Sequence, residues 1–69
     1  MHCLEKGTYR HYKGKLYNVI EVAIHTETLE DMVVYQALYG EFRIWVRPLK
    51  MFLEEVEIDG KLQKRFKTV

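Results

Sequence analysis

Between Phe42 and Arg47 two sets of side chains alternate without a break. Phe42, Ile44 and Val46 are interleaved with Arg43, Trp45 and Arg47, and Pro48 stops the run. A period of two puts the sets on opposite faces of a strand, whereas a helix would spread both around its circumference. Proline has no N–H to give to a ladder, so the strand ends there. Before it, Met32 to Tyr39 is rich in β-branched and aromatic residues and runs into Gly40, which predicts a second strand.

If Gly40-Glu41 is a two-residue hairpin turn, Tyr39 opposes Phe42 and Gln36 opposes Trp45. Tyr35, Ala37, Tyr39, Phe42, Ile44 and Val46 then face inward, and Arg43, Trp45 and Arg47 face outward. A three-residue turn would shift the register and set Tyr35 and Tyr39 beside Trp45. The two-residue version is expected, because both strands then bury their more aromatic face.

Upstream, Ile20, Val22 and Ile24 alternate with Val19, Glu21 and Ala23, which predicts a strand with the first set inward. Lys13-Gly14-Lys15 fits a turn, and the polar stretch from His25 to Asp31 fits a loop. Downstream, Leu49 to Leu53 is expected to form a turn or one coil of helix. Glu54 to Ile58 reads as a strand turned by Asp59-Gly60, and Arg65 to Lys67 can pair as a last one. About five short strands with tight turns predict an all-β fold, a small barrel spanning residues 7–66. Residues 1–6 form an N-terminal extension and 67–69 a tail.

The chain has 69 residues, so one small domain with a modest core is expected. Disulfides often reinforce such domains, but a lone Cys3 forms none within the chain. With 48% hydrophobic and 30% charged residues the composition is globular. The apolar runs are too short to span a membrane, and no signal-peptide pattern is visible. These features predict a cytoplasmic protein. A net charge of +1 argues against a surface dominated by phosphate contacts. Basic residues nevertheless gather near both ends, and acidic ones between them.

The ordered set Tyr9-Arg-His-Tyr-Lys-Gly14, Ala23-x-His25-Thr-Glu-Thr28, Val33-Val-Tyr35, Ala37-Leu-Tyr-Gly40, Trp45-Val-Arg-Pro-Leu49 and Met51-Phe52 resembles the bacterial domain of unknown function 1653 family. The likeness runs from Gly7 to Phe66. It implies a small bacterial protein with an SH3-like barrel, and it carries no established activity. Met1 to Glu5 and the lysine-rich end after Gln63 lie outside the pattern.

Three groups of residues are candidates for function. Arg43, Trp45 and Arg47 place guanidinium groups on either side of an indole, which suits a base, a phosphate or a peptide carboxylate. The competing reading covers Trp45 with a chain terminus and pairs the arginines with Glu54 or Glu57. Arg10, His11, Tyr12 and Lys13 interleave basic and aromatic residues beside a turn, and Tyr17 is expected at the same surface. Tyr12, Tyr17, Tyr35 and Tyr39 could form a cage for a quaternary ammonium group, although core packing accounts equally well for Tyr35 and Tyr39.

His25 with Glu27 is the remaining group, and only it suggests chemistry. Glu27 could orient His25 as a general base in a small hydrolase. Hydrogen bonds from the loop threonines and a surface role for Glu27 are the simpler reading. No metal or cofactor is expected, since His11, His25 and Cys3 lack ligand spacing. The expected function is a non-catalytic module that binds a protein or peptide through Arg10, His11, Tyr12, Lys13, Tyr17, His25, Arg43, Trp45 and Arg47. Single-stranded RNA or DNA is the first alternative and the hydrolase the second. No membrane partner is expected, and the oligomeric state is open.

Overall fold

The structure, a computed structural model, describes Leu4 to Val69. Cys3 therefore lies outside the described residues. Seven strands and one helical turn follow in order: β1 (Gly7–His11), β2 (Leu16–Ile24), β3 (Asp31–Ala37), β4 (Ile44–Pro48), α1 (Leu49–Phe52), β5 (Glu55–Ile58), β6 (Lys61–Lys64) and β7 (Phe66–Thr68). The all-β expectation holds. Five strands form one antiparallel sheet in the order β4-β3-β2-β1-β7, and β5 and β6 form a separate hairpin. The main sheet curls until the Arg47 guanidinium on β4 stands 5.8 Å from the ring centroid of Phe66 on β7.

Several turns match their sequence signals. Gly14 has φ +103°, with the His11 and Lys15 backbones bonded across the turn at 2.8 Å. Asp59 and Gly60 both have positive φ, as a two-residue hairpin turn requires. Pro48 ends β4 and leads straight into α1. The last strand runs on through Thr68 and pairs with β1, so Lys67 and Thr68 belong to the sheet rather than to a tail. Residues 4–6 are also tied in. Leu4 packs against the core, the Tyr9 hydroxyl donates to the Glu5 carbonyl at 2.8 Å, and Lys6 pairs with Glu21 at 3.1 Å.

Two facing assignments are corrected. On β2 the register with β3 shifts between Val19 and Glu21, so Ile20 is the extra residue of a β-bulge. The bulge puts Val19 and Val22 on one face. Val19 opposes Tyr35 and is buried, while Ile20 and Ile24 are exposed instead of inward. On β4 the register is shifted by one from the two-residue hairpin: Tyr35 opposes Trp45, and Val33 opposes Arg47. Trp45 and Arg47 therefore lie on the core side of the sheet, and Ile44 and Val46 face outward. Tyr35 and Ala37 are buried as expected, whereas Tyr39, Phe42, Ile44 and Val46 are not.

The cause of this shift is the loop. It spans residues 38–42, with the Ala37 N–H donating to the Arg43 carbonyl at 2.9 Å. Gly40 and Phe42 are both left-handed, at φ +60° and +55°. The Gln36 side-chain amide donates to the Phe42 carbonyl at 2.9 Å and helps hold that conformation.

The core is an aromatic stack. Phe52 and Phe66 lie parallel with centroids 4.1 Å apart, and Tyr9 and Tyr35 meet Phe52 edge-on at 5.6 and 5.5 Å. Val19, Val33 and Leu49 complete it. Burying each such side chain contributes about 1.5–3 kcal/mol, and edge-to-face pairs add to that.

Candidate functional site

Alternation along β1 sends Tyr9 and His11 to the core side and Arg10 to the outer side, where it opposes Lys67. On the core side, β2 supplies Tyr17, β3 supplies Tyr35, β4 supplies Trp45 and Arg47, and β7 supplies Phe66. The fold thus gathers His11, Tyr17, Trp45 and Arg47 from the expected set onto one side of the sheet. Arg10 is on the other side, Lys13 is exposed in the turn, and Arg43 sits in the loop, where it pairs loosely with Glu41 at 3.8 Å. His25 stands apart in the β2–β3 loop.

Phe66 links the members of this group. His11 meets its ring edge-on at 4.9 Å, Tyr17 meets it at 5.6 Å, and Arg47 stands over it. Tyr12 lies beside His11 at 4.5 Å, in a tilted stack. Tyr17 is partly buried rather than a surface residue. It packs edge-on against both Tyr35 and Tyr39 at 5.5 Å, and its hydroxyl bonds that of Tyr39 at 2.6 Å. These three tyrosines fill the space a cage would need, and Tyr12 lies away from them.

The local field is positive. Burial lowers the His11 pKa, and Arg65, Arg47 and Lys13 push it down further. His11 Nδ1 accepts the Lys13 N–H at 3.2 Å, so in the neutral ring Nε2 carries the hydrogen. Burial also pushes Tyr17 up to about 12, helped by its bond to Tyr39, while Arg47 acts in the opposite direction. Lys15 Nζ stands 5.0 Å over the Tyr39 ring. Arg65 is neutralised by Glu54 at 3.0 Å, but among the described residues Arg47 has no carboxylate within 4.0 Å. Arg65 was not among the expected residues. Its neighbour Phe66 brings it to His11, and nothing local in the sequence signals that approach.

Trp45 is half-exposed at 50%, at the rim of this face, and among the described residues no terminal segment covers it. Its strand neighbours Ile44 and Val46 are 60% and 63% exposed. Among the described residues β4 pairs with β3 alone, so its second edge offers free backbone donors and acceptors beside those side chains.

His25 has a structural part. Its Nδ1 accepts the Glu27 and Thr28 N–H groups at 3.1 and 3.3 Å, and the Thr28 hydroxyl accepts the Glu30 N–H at 3.3 Å. The Glu27 carboxylate makes no hydrogen bond to the His25 ring, so the arrangement a general base needs is not assembled. Among the described residues no three His, Cys, Asp or Glu side chains come together as a metal set. No described helix is long and apolar enough to cross a membrane.

Recesses of similar size open on the surface of the described residues. One of about 320 Å³ is lined by Arg10, His11, Tyr12, Gln63, Lys67 and Thr68. A more apolar one of about 290 Å³, between Glu30, Asp31, Leu49, Lys50 and Leu53, contains none of the expected site residues.

No curated protein matches this chain. Among solved structures, a crystal structure of a DUF1653 protein from Bordetella bronchiseptica is similar. It shares 37% sequence identity, has a TM-score of 0.87, and is matched over 96% of this chain and 87% of that one. Residues 7–68 match the family described as protein of unknown function (DUF1653). With nearly its whole length matched, the chain belongs to the DUF1653 family.

Proposed function

We propose that this domain is a non-catalytic binding module, of SH3-like form and cytoplasmic, that takes an extended protein segment along β4. One observation carries the reading: Ile44, Trp45 and Val46 are each half or more exposed on a strand whose second edge is unpaired. An edge of that kind invites strand addition, with backbone hydrogen bonds giving affinity and alternate side chains giving selectivity. Trp45 supplies a large rigid contact, and Arg47, Arg43 and His11 supply polarity around it.

The test is selection from a displayed peptide library against the folded domain, followed by titration of the recovered peptides into Trp45 emission. Peptides are expected to shift that emission to the blue, and Trp45→Ala, followed by the anisotropy of a dye-labelled peptide, should weaken binding by about tenfold or more. Failure to recover any peptide, or equal binding by Trp45→Ala, overturns the reading. The unneutralised Arg47 beside the exposed Trp45 and the Lys15–Tyr39 contact favour a second reading, a single-stranded nucleic acid. A base stacked on Trp45 would contribute about 1–3 kcal/mol. Quenching by oligonucleotides that salt reverses would support it.

A further inference from the structure

The fold leaves a second free edge with the opposite character. Among the described residues β5 pairs only with β6, and the run Glu55-Val-Glu-Ile-Asp59, which is β5 and the first residue of its turn, alternates acid with apolar residues. Glu55 and Glu57 are exposed, while Val56 and Ile58 are half-buried on the other face. Arg43, just before β4, and Ile44, Trp45, Val46 and Arg47 within it carry the complementary alternation.

We infer that β4 of one copy of this chain pairs with β5 of another, so that the domain assembles head to tail through unlike edges. The inference rests on the reading of β4 as a strand-addition site and names the occupant. Opposed residues on paired strands share a face. An antiparallel alignment sets Arg43 against Asp59, Ile44 against Ile58, Val46 against Val56 and Arg47 against Glu55. A parallel alignment sets Arg43 against Glu55 and Arg47 against Asp59, and the apolar residues still meet. The match in charge and apolarity therefore does not depend on strand direction.

Like edges do not match. Two β4 strands centred on Trp45 would oppose arginine to arginine, and two β5 strands would oppose acid to acid, which is unfavourable. The remaining free edges run along β6 and β7, whose charges are Lys61, Lys64 and Lys67. Only β5 offers carboxylates to the β4 arginines. Because the two surfaces differ, the contact is heterologous, so copies either close into a ring or extend as a chain.

Sedimentation of the full chain over a range of concentrations tests this, with Trp45 emission as a second readout. The wild type should grow beyond a dimer as concentration rises, shift its emission to the blue and dissociate in salt. Arg43→Glu with Arg47→Glu, and separately Glu55→Lys with Asp59→Lys, should each weaken association by about tenfold or more. Mixing the two double variants should restore it, because each then presents an edge of opposite sign to the other. Arg43, Glu55 and Asp59 are exposed and Arg47 is half-buried over Phe66, so far-UV circular dichroism checks that both variants are folded. A wild type that stays monomeric while Trp45 still responds to selected peptides overturns the inference and leaves the binding module standing. An assembly unaffected by either reversal also overturns the inference, and a monomer that binds no peptide overturns both.

Discussion

Val33 and Val46 are the same residue on adjacent strands of one sheet, yet one is fully buried and the other is 63% exposed. The regions around them differ in the same way. Around Val33 the sheet is covered by α1 and β7, and Phe52 stacks on Phe66. Around Val46, among the described residues, no strand pairs with the second β4 edge and Ile44 and Val46 stay exposed on the outer face. Strand-forming composition is common to both regions, so composition alone does not mark the core. What separates them is whether a second layer returns over the strand.

The largest effect is expected at the closed end. Phe52→Ala removes a fully buried ring that touches Tyr9, Tyr35 and Phe66, and should cost about 3–5 kcal/mol. A domain of this size holds roughly 3–10 kcal/mol in total, so the variant should lose a large part of its stability. Urea denaturation followed by circular dichroism measures this. A cost under about 1 kcal/mol would show that the stack is not what holds the curled sheet together.

The valine pair gives a matched test of the contrast. Val33→Ala should cost about 2 kcal/mol, and Val46→Ala at most about 0.5 kcal/mol. The missing effect of Val46→Ala on folding should reappear as weaker association or weaker peptide binding. Equal costs for the two variants would mean that β4 is covered in solution even at low concentration.

The sequence signals were strong where structure is local and weak where it depends on register. Gly14, Asp59-Gly60 and Pro48 act through their own backbone preferences, and the turns and strand end they predict are present. The β3–β4 register depends on Phe42 adopting positive φ, a conformation that nothing in a phenylalanine announces. A shift of one residue then turned Trp45 and Arg47 from the outer side to the core side. The bulge at Ile20 changed the face of the residues before it on β2, setting Val19 inward, since an extra residue leaves the alternating pattern intact in the sequence. The candidate site was legible as a set of residue types, and His11, Tyr17, Trp45 and Arg47 do share a face. Their organiser, Phe66, lies in a short terminal strand whose pairing with β1 is visible only in three dimensions.

The smallest expected effect separates the two regions by pH. His11 stands at the junction of the aromatic stack and the basic rim, and its pKa is lowered below 6.5 by burial and then by Arg65, Arg47 and Lys13. The unfolded chain therefore takes up the proton before the folded one does. The contribution to stability is complete above 6.5 and is lost as pH falls through the lower folded value. The wild type should melt at a lower temperature at about pH 5 than at about pH 8, by more than His11→Gln does over the same range. His11→Gln also loses the packing on Phe66, which lowers stability equally at both pH values, so only the difference in slope reports the titration. If the two slopes are equal, the rim arginines do not act on His11 in solution. An anionic partner docked against Arg47 should reduce the slope by neutralising one of the charges that hold His11 unprotonated.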